Sequence, residues 1–343
     1  MPDETCQHWA VDAPLSAAVV DRGGTLAAFA GGDGAVRIAP LSGGDLTAHA
    51  LSEGAVLSLA ADCAPGAFLA GTDDGRLYRV TAEGHERLLQ LPRTFPEQIA
   101  AHSCGVRAVS DGPDIRLLDA AGEAIGKLSG HASTVAGLQF DQAGTRLALS
   151  HYDGASIWDL SSQTKTHALY FRGSHLSLSW QPEGRYLVTA TQEKMLHAWD
   201  LETGDSVSLG PSFLKVRSLG WSADGLWLFA AGNDTVSGWR FHRGLPSSPA
   251  AKMLGRFSED YVAQVCSHPV HGLTAVGYND GGLELMVTES RSSRHELVEP
   301  GGTVVEALAW SPDGNHLVGG DRDGRLFVYH FDDDWLARLI NAD

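Results

Sequence analysis

The sequence predicts an all-β fold of short antiparallel strands, and three observations indicate it. Glycine accounts for 40 of the 343 residues and is spread along the whole chain, which suits tight turns between short strands better than long helices. Apolar and polar residues alternate in short runs, as strands with one covered face require. A polar turn, often Asp-Gly, recurs at a nearly constant interval along the chain.

Each repeat unit has three strands separated by two polar turns. The clearest copy has Trp310 before the first turn, an apolar run at 316–320, Asp323-Gly324 in the second turn and a last strand at 325–329. The second turns align near residues 33, 74, 112, 153, 193, 233, 280 and 323. Their period of about 40 residues is the one expected for four-stranded propeller blades.

One small sheet cannot bury both of its faces alone, so such blades stack radially until a ring closes. We therefore predict a β-propeller of eight four-stranded blades that forms a single domain over residues 1–343. The last blade lacks a downstream strand, and residues 8–11 at the N-terminus can supply it and close the ring. Seven blades is the alternative, and it requires the weak unit at 96–119 to be an insertion. The acidic tail 332–343 fits a short amphipathic helix.

The repeats resemble WD40 repeats, and the resemblance covers essentially the whole chain. It is clearest in Trp158-Asp159 and Trp199-Asp200 at strand ends, and in Gly130-His131 and Ser174-His175 before the matching first strands. The resemblance implies a WD40-type β-propeller, and we expect a stand-alone bacterial protein.

In WD40 blades a His, a Ser or Thr, an Asp and the Trp form a buried chain of hydrogen bonds. The resemblance carries this structural tetrad over to two blades of the present chain. The fourth has His131, Asp153 and Trp158, and the fifth has His175, Thr189, Glu193 and Trp199. Glu193 departs from the usual Asp, and the third strand of the fourth blade is one residue short. The other blades must rely on apolar packing.

The charge and the cysteines restrict the partners and the compartment. The formal net charge is −17 and no Lys/Arg run occurs, which disfavours nucleic acid and anionic membranes as partners. A basic protein partner, or simply good solubility, fits the charge better. The four cysteines are isolated in the sequence, as expected in a reducing compartment. The N-terminus has no signal-peptide pattern, and we expect a cytoplasmic protein.

No catalytic motif is present, so we predict that the protein is not an enzyme and has no cofactor and no resident metal. Two alternatives remain open. The first is a metal-homeostasis accessory protein that uses surface His and Cys, because His268 and His271 form an HxxH motif two residues after Cys266. Zinc requires three or four ligands, and we favour a polar turn there. An enzyme with a polar central pocket is the weaker alternative.

We predict a scaffold or adaptor that binds a protein or peptide on one propeller face. In WD40 proteins the face with the loops before the first strands and between the second and third strands commonly binds peptides. Lys215 is among the residues of these loops here. Aromatic residues and arginine are frequent interface anchors, and our candidates for protein binding are Tyr152, His151, Gln192, Phe213, Tyr261, Tyr278 and Arg322.

Overall fold

The computed structural model describes residues 5–288 and 294–340. The chain divides into two compact units. The first unit is Asp12–Leu178, and the second unit is Met1–Val11 together with Ser179–Asp343. Among the described residues, no helix is long and apolar enough to cross a membrane.

Strand β1 (Thr5–Ala10) belongs to the second unit, and the first unit begins with three four-stranded antiparallel sheets. The first sheet contains β2 (Leu15–Val20), β3 (Leu26–Gly31), β4 (Ala35–Pro40) and β5 (Thr47–Ala50). The second contains β6 (Val56–Ala61), β7 (Ala67–Thr72), β8 (Arg76–Thr81) and β9 (Gly84–Gln90). The third contains β10 (Ile99–Ala101), β11 (Arg107–Asp111), β12 (Asp114–Leu118) and β13 (Ala124–Leu128).

The next sheet has six strands. Its strands are β14 (Gly137–Phe140), β15 (Arg146–Asp159), β16 (Thr164–Trp180), β17 (Tyr186–Thr191), β18 (Leu196–Asp200) and β19 (Ser206–Leu209). Strand β15 doubles back at Asp153 and Gly154, both at positive φ. Just outside its two ends, Leu160 N–H donates to the Thr145 carbonyl at 3.0 Å.

Three four-stranded sheets and a helix complete the second unit. The first of these sheets contains β20 (Leu219–Trp221), β21 (Trp227–Ala230), β22 (Val236–Arg240) and β23 (Lys252–Leu254). The next contains β24 (Val262–Ser267), β25 (Leu273–Tyr278), β26 (Leu283–Val287) and β27 (Arg294–Val298). The last contains β28 (Val305–Trp310), β29 (His316–Asp321), β30 (Arg325–His330) and β1. Helix α1 spans Asp333–Ile340.

Burial along the strands explains why these residues form this fold. The second strands of the sequence repeats are the most buried. Examples that are buried at every position are β7 (Ala67–Thr72), β17 (Tyr186–Thr191) and β25 (Leu273–Tyr278). They read as continuous apolar runs because both of their faces are covered. The outer strands β5 and β9 are largely exposed and polar. Within each unit, apolar side chains of consecutive sheets form shared core clusters.

The all-β, WD40-type propeller class is confirmed, but eight separate blades are not. The described residues form seven sheets, because the fourth and fifth sequence units lie in the single six-stranded sheet β14–β19. The physical reason is local: β15 continues through its tight turn, and Tyr152 pairs with Ser174 of β16 across it. From the sequence, seven blades are expected only if the weak unit at 96–119 is an insertion. This unit instead forms the complete four-stranded sheet β10–β13.

A strand forms near the N-terminus and a helix forms near the C-terminus. Strand β1 pairs antiparallel with β30, from Thr5 opposite His330 to Ala10 opposite Arg325, and so supplies the fourth strand of the last sheet. Helix α1 begins after Asp332, whose carboxylate accepts the Trp335 N–H at 2.6 Å. Trp335 and Leu336 are buried against the core of the last two sheets. Residues 341–343 of the predicted tail lie outside the described residues. A single domain over the whole chain stays a prediction.

Polar residues at the first turns link neighbouring sheets within each unit. The residue that follows a first strand forms a hydrogen bond with the backbone at the matching turn of the next sheet, about one repeat further along the chain. The pairs are Asp21 with Gly66 N–H, His102 with Gln142 C=O, Gln181 with Gly225 C=O, and His268 with Gly314 C=O. Each bond satisfies a backbone group that the sheets cannot pair themselves.

Candidate functional site

A cavity of about 480 Å³ opens in the second unit. It lies where the loops before first strands meet the turns between second and third strands. The lining residues are Lys194, Leu214, Lys215, Arg217, Ala231, Gly232, Tyr261, Val262, Ala263, Gln264, Val304, Glu306 and Arg322. Pockets of a few hundred Å³ with convergent polar groups are the usual binding sites of proteins.

The loop before β20 carries much of the cavity rim, and it is fixed by backbone hydrogen bonds. The Leu214 N–H donates to the Gly232 carbonyl at 3.0 Å. The Phe213 N–H donates to the buried Asn233 side chain at 2.6 Å. The side chains on this loop are therefore presented from a rigid backbone, which reduces the entropy lost on binding.

Lys194 is held on the opposite side of the same loop. The Ser212 N–H donates to the Lys194 carbonyl at 2.9 Å. The Thr191 hydroxyl accepts the Met195 N–H at 3.3 Å and closes the turn. Lys194 takes a left-handed conformation with φ of 63°, which is uncommon for a residue other than glycine. The turn and the loop thus form one connected rim.

The cavity is cationic. Its lining has four cations and one carboxylate, a formal charge of +3, in a chain whose net charge is −17. The carboxylate, Glu306, is already bound by Arg322 at 2.6 Å. Among the residues that the structure describes, no carboxylate lies within ion-pair distance of Lys194, Lys215 or Arg217. At least ten arginines among the described residues, by contrast, are paired with Asp or Glu.

The structure brings three of the predicted binding residues to this cavity. Tyr261 and Arg322 line it, and Arg322 has a side chain that is 60% exposed. Phe213 is 64% exposed and lies beside the lining residue Leu214. Gln192 is exposed two residues before Lys194, in the same turn. These assignments as protein-binding residues stay predictions.

Tyr152 and His151 lie in the first unit, in the turn of β15. Tyr152 is 48% exposed, and its N–H donates to the Ser133 hydroxyl oxygen at 2.9 Å. The His151 Nδ1 atom is 2.9 Å from the Tyr152 carbonyl. Both occupy the predicted class of turn, and their role in binding stays a prediction.

Tyr278 is not a surface residue, and the sequence-based prediction is wrong for it. It is fully buried, and its hydroxyl donates to Glu284 Oε1 at 2.6 Å. The Arg256 guanidinium lies 3.9 Å from the centre of its ring. Burial, with the nearby Glu284 carboxylate, raises the pKa of Tyr278 far above its usual range. Tyr278 ends β25 and points into the core rather than into the following turn.

The structural tetrad is only partly present. In the fourth unit the Trp158 indole N–H donates to His131 Nε2 at 3.2 Å. Asp153 does not continue the chain, because its carboxylate accepts the Gly173 N–H at 3.2 Å from a left-handed turn.

In the fifth unit, His175, Thr189 and Trp199 are buried. Glu193 is exposed at the turn after β17. An exposed carboxylate cannot be the buried acceptor of this network, so its assignment is wrong.

The HxxH motif is a structural turn. His268 Nε2 is 3.0 Å from the Gly314 carbonyl, and Nδ1 accepts the His271 N–H at 2.9 Å. Both ring nitrogens are thus engaged. Burial raises the pKa of the Cys266 thiol to about 11, which disfavours the thiolate that a metal requires. Among the described residues, no three His, Cys, Asp or Glu side chains are grouped to hold a metal ion.

His268 also predicts a pH dependence of stability. Burial lowers the pKa of His268 to about 4, below the value of about 6.5 in an unfolded chain. The unfolded state therefore gains a proton first, and the contribution of His268 falls as the pH drops from about 7.5 towards 4. We expect urea unfolding to show about 2 kcal/mol less stability from this residue at pH 5 than at pH 8.

The variant His268→Gln is the matched comparison for this effect. It keeps a buried polar side chain but removes the titrating ring, so its free energy of unfolding should change less between pH 8 and pH 5. Equal pH dependence in the two proteins would contradict the assignment to His268.

Sequence reasoning missed Lys194 and Arg217 as site residues. Lys215 was noted only as a loop residue, because an isolated cation in a polar loop has no distinguishing pattern. The sequence does hold a signal for two of them, because no Asp or Glu occurs between Asp205 and Asp224, the stretch that contains Lys215 and Arg217. Only the fold shows that they share a cavity.

Comparisons with known proteins support the resemblance to WD40 repeats. Residues 292–330 match the family model described as WD domain, G-beta repeat. Nuclear distribution protein PAC1 of Arthroderma otae is 27% identical over 275 residues, which cover 69% of this chain and 59% of that protein. WD repeat-containing protein 26 homolog of Arabidopsis thaliana is 31% identical over 31% of this chain and 19% of its own length.

A third relative is named for an assembly. The chromatin assembly factor 1 subunit FAS2 homolog of Oryza sativa subsp. japonica is 26% identical over 56% of this chain and 37% of its own. The chain spans about three fifths of PAC1 and less of the other two. These relatives are eukaryotic proteins, so the expectation of a bacterial protein finds no support.

Proposed function

We propose that the protein is a non-catalytic scaffold of the cytoplasm that binds a protein or peptide at the loop face of its second unit. The observation that carries the proposal is the cavity with its rigid rim, bordered by the exposed apolar side chains of Phe213 and Leu214. A pocket with apolar anchors at its edge and fixed polar groups inside is suited to a segment of a partner.

The composition of the cavity supports binding rather than chemistry. Its lining residues include no His, Cys or Ser, and the one carboxylate is engaged with Arg322. General acid–base and nucleophilic catalysis most often use His, Cys, Ser or a free carboxylate. The four cysteines, all among the described residues, are not joined by disulfide bonds, which supports a reducing compartment such as the cytoplasm. The relative named as a subunit of an assembly factor supports the scaffold class.

Site-specific crosslinking tests the proposed face. A photoreactive p-benzoylphenylalanine replaces Phe213 at the cavity rim, and in a second variant it replaces Val270. Val270 is 58% exposed and lies beyond the opposite end of β24. We expect irradiation in the expressing cells to give discrete protein adducts from position 213 and not from 270. Equal adducts at both positions, or adducts at 270 alone, would show that another surface binds.

A further inference from the structure

We infer that the occupant of the cavity is an acidic peptide segment of a partner protein, with carboxylates for its cations and an apolar side chain for its rim. This inference rests on the proposed function and adds the chemistry of the partner. It also replaces the sequence-based expectation of a basic partner. That expectation rests on the net charge of the whole chain, whereas a partner segment meets the local charge of the site.

The cations of the cavity carry the argument. Lys194, Lys215 and Arg217 have no carboxylate within ion-pair distance among the residues described, and all three are exposed. Other cations of the chain are paired with carboxylates, as in Arg256 with Asp280 at 3.0 Å. Three like charges around one cavity repel each other, and an anionic occupant relieves that repulsion.

The rim sets the spacing of the cations. Ser212 and Leu214 tie the loop before β20 to the turns on both sides through the bonds described above. Lys194 and Lys215 therefore extend from backbones that are linked to each other. A site whose charges are held in place before binding selects a partner with matching charge positions at a lower entropic cost.

The apolar part of the rim distinguishes a peptide from a simple anion. Phe213 and Leu214 are 64% and 41% exposed, next to the cations. A partner residue such as Leu or Phe covers this surface, while neighbouring Glu or Asp side chains reach the ammonium and guanidinium groups.

A nucleic acid fits less well. Its phosphates extend far beyond a cavity of about 480 Å³ and would meet the acidic remainder of a chain with net charge −17. Nucleic-acid binding depends on neutralising many phosphates along a surface.

Fluorescence anisotropy tests the inference with a defined probe, a fluorescein-labelled peptide of sequence Glu-Glu-Leu-Glu-Glu-Phe-Glu. A second peptide replaces every Glu with Gln, and an oligothymidylate competes as the nucleic-acid arm. We expect the Glu peptide to bind at least tenfold tighter than the Gln peptide. Its affinity should fall between about 0.02 M and about 0.3 M NaCl because salt screens exposed charges.

Two variants with the same change of net charge locate the effect. Lys215→Glu/Arg217→Glu reverses two cavity cations, and we expect it to raise the Kd for the Glu peptide at least tenfold. Arg243→Glu/Arg338→Glu reverses two exposed cations outside the lining residues and should change the Kd less than threefold. Equal losses in the two variants would assign binding to net charge and overturn the site.

The outcomes separate this inference from the proposed function. If the Glu peptide fails to bind better than the Gln peptide while position 213 still crosslinks a partner, the face stands and the acidic chemistry is wrong. If the oligothymidylate displaces the peptide at a lower concentration than unlabelled peptide does, the site prefers nucleic acid and the inference is overturned. If position 213 gives no adduct, the proposed function itself fails.

Discussion

Replacing Asp62 with Asn is expected to lower the free energy of unfolding by about 3–5 kcal/mol, because it leaves a buried arginine without its counter-charge. Asp62 is fully buried and Arg107 is 2% exposed. Arg107 Nε donates to Asp62 Oδ1 at 2.7 Å and Arg107 donates from its Nη2 atom to Oδ2 at 2.9 Å. Arg79 adds a third bond to the same carboxylate at 3.1 Å.

The measurement is urea unfolding followed by circular dichroism. Tryptophan fluorescence is unsuitable, since Trp158 is the only one of the nine tryptophans within Asp12–Leu178. The matched control is Lys127→Ala, which breaks an ion pair with Asp114 that is 2.7 Å long but largely exposed. Exposed pairs contribute about 1 kcal/mol or less.

A double variant separates the buried charge from the lost bonds. Asp62→Asn/Arg107→Met removes the cation as well, so we expect it to lose less stability than the sum of the two single variants. Additive losses, or a loss below about 1 kcal/mol for Asp62→Asn alone, would contradict the role given to this pair.

The same pair gives a direction for the pH dependence. Burial opposes ionisation of Asp62, but the Arg107 guanidinium and the Cys63 N–H outweigh it and hold the pKa of Asp62 below its usual value. A depressed carboxyl pKa stabilises the fold above the unfolded pKa and loses this effect as the pH falls. The difference between wild type and Asp62→Asn should therefore shrink on acidification below the usual Asp range.

Tyr278→Ala is expected to destabilise the protein by about 3–5 kcal/mol, as loss of a buried aromatic side chain does. Tyr278→Phe keeps the ring and removes only the hydroxyl that donates to Glu284, which should cost about 1–3 kcal/mol. Glu284 is itself 3% exposed, so the lost donor is not replaced by bulk water. Urea unfolding of the three proteins measures both losses.

Binding to the acidic peptide distinguishes this structural role from an interface role. The folded fraction of Tyr278→Phe should bind with the wild-type Kd, because Tyr278 does not line the cavity. Arg322→Ala is the comparison variant, because Arg322 lines the cavity and is exposed. It should weaken peptide binding and have little effect on stability. A Tyr278→Phe protein that keeps its stability but loses peptide binding would restore Tyr278 to the interface.

The contrast between two tyrosines shows what sequence reasoning could not decide. Tyr278 and Tyr152 both stand next to a polar turn, and nothing in the local sequence separates them. In the structure Tyr278 closes β25 with its side chain against Arg256 and Glu284, whereas Tyr152 stays exposed. One position of register decides which face a strand residue takes, and register depends on the pairing of distant strands.

The buried network of Asp62 and Arg107 was also invisible to the sequence. The two residues are 45 positions apart, one repeat period, and each resembles an ordinary turn or strand residue. Arg107 is placed in the core only because β11 packs beside the first turn of the preceding sheet. The number of sheets predicted from the sequence is wrong for a similar reason. The turn at Asp153 and Gly154 allows pairing with β16 to continue across it, and this pairing joins residues that are distant in the sequence.

The sequence by itself determined the all-β class, the repeat period, the completion of the last sheet by the N-terminal strand and the loops that could carry a site. These follow from alternation and turn residues, which act locally. The tertiary structure alone decided that Lys194, Lys215, Arg217 and Arg322 line one cavity, that Tyr278 is buried and that the fourth and fifth sequence repeats lie in one sheet. Such contacts join residues far apart in the chain, and their energies depend on packing that no local pattern encodes.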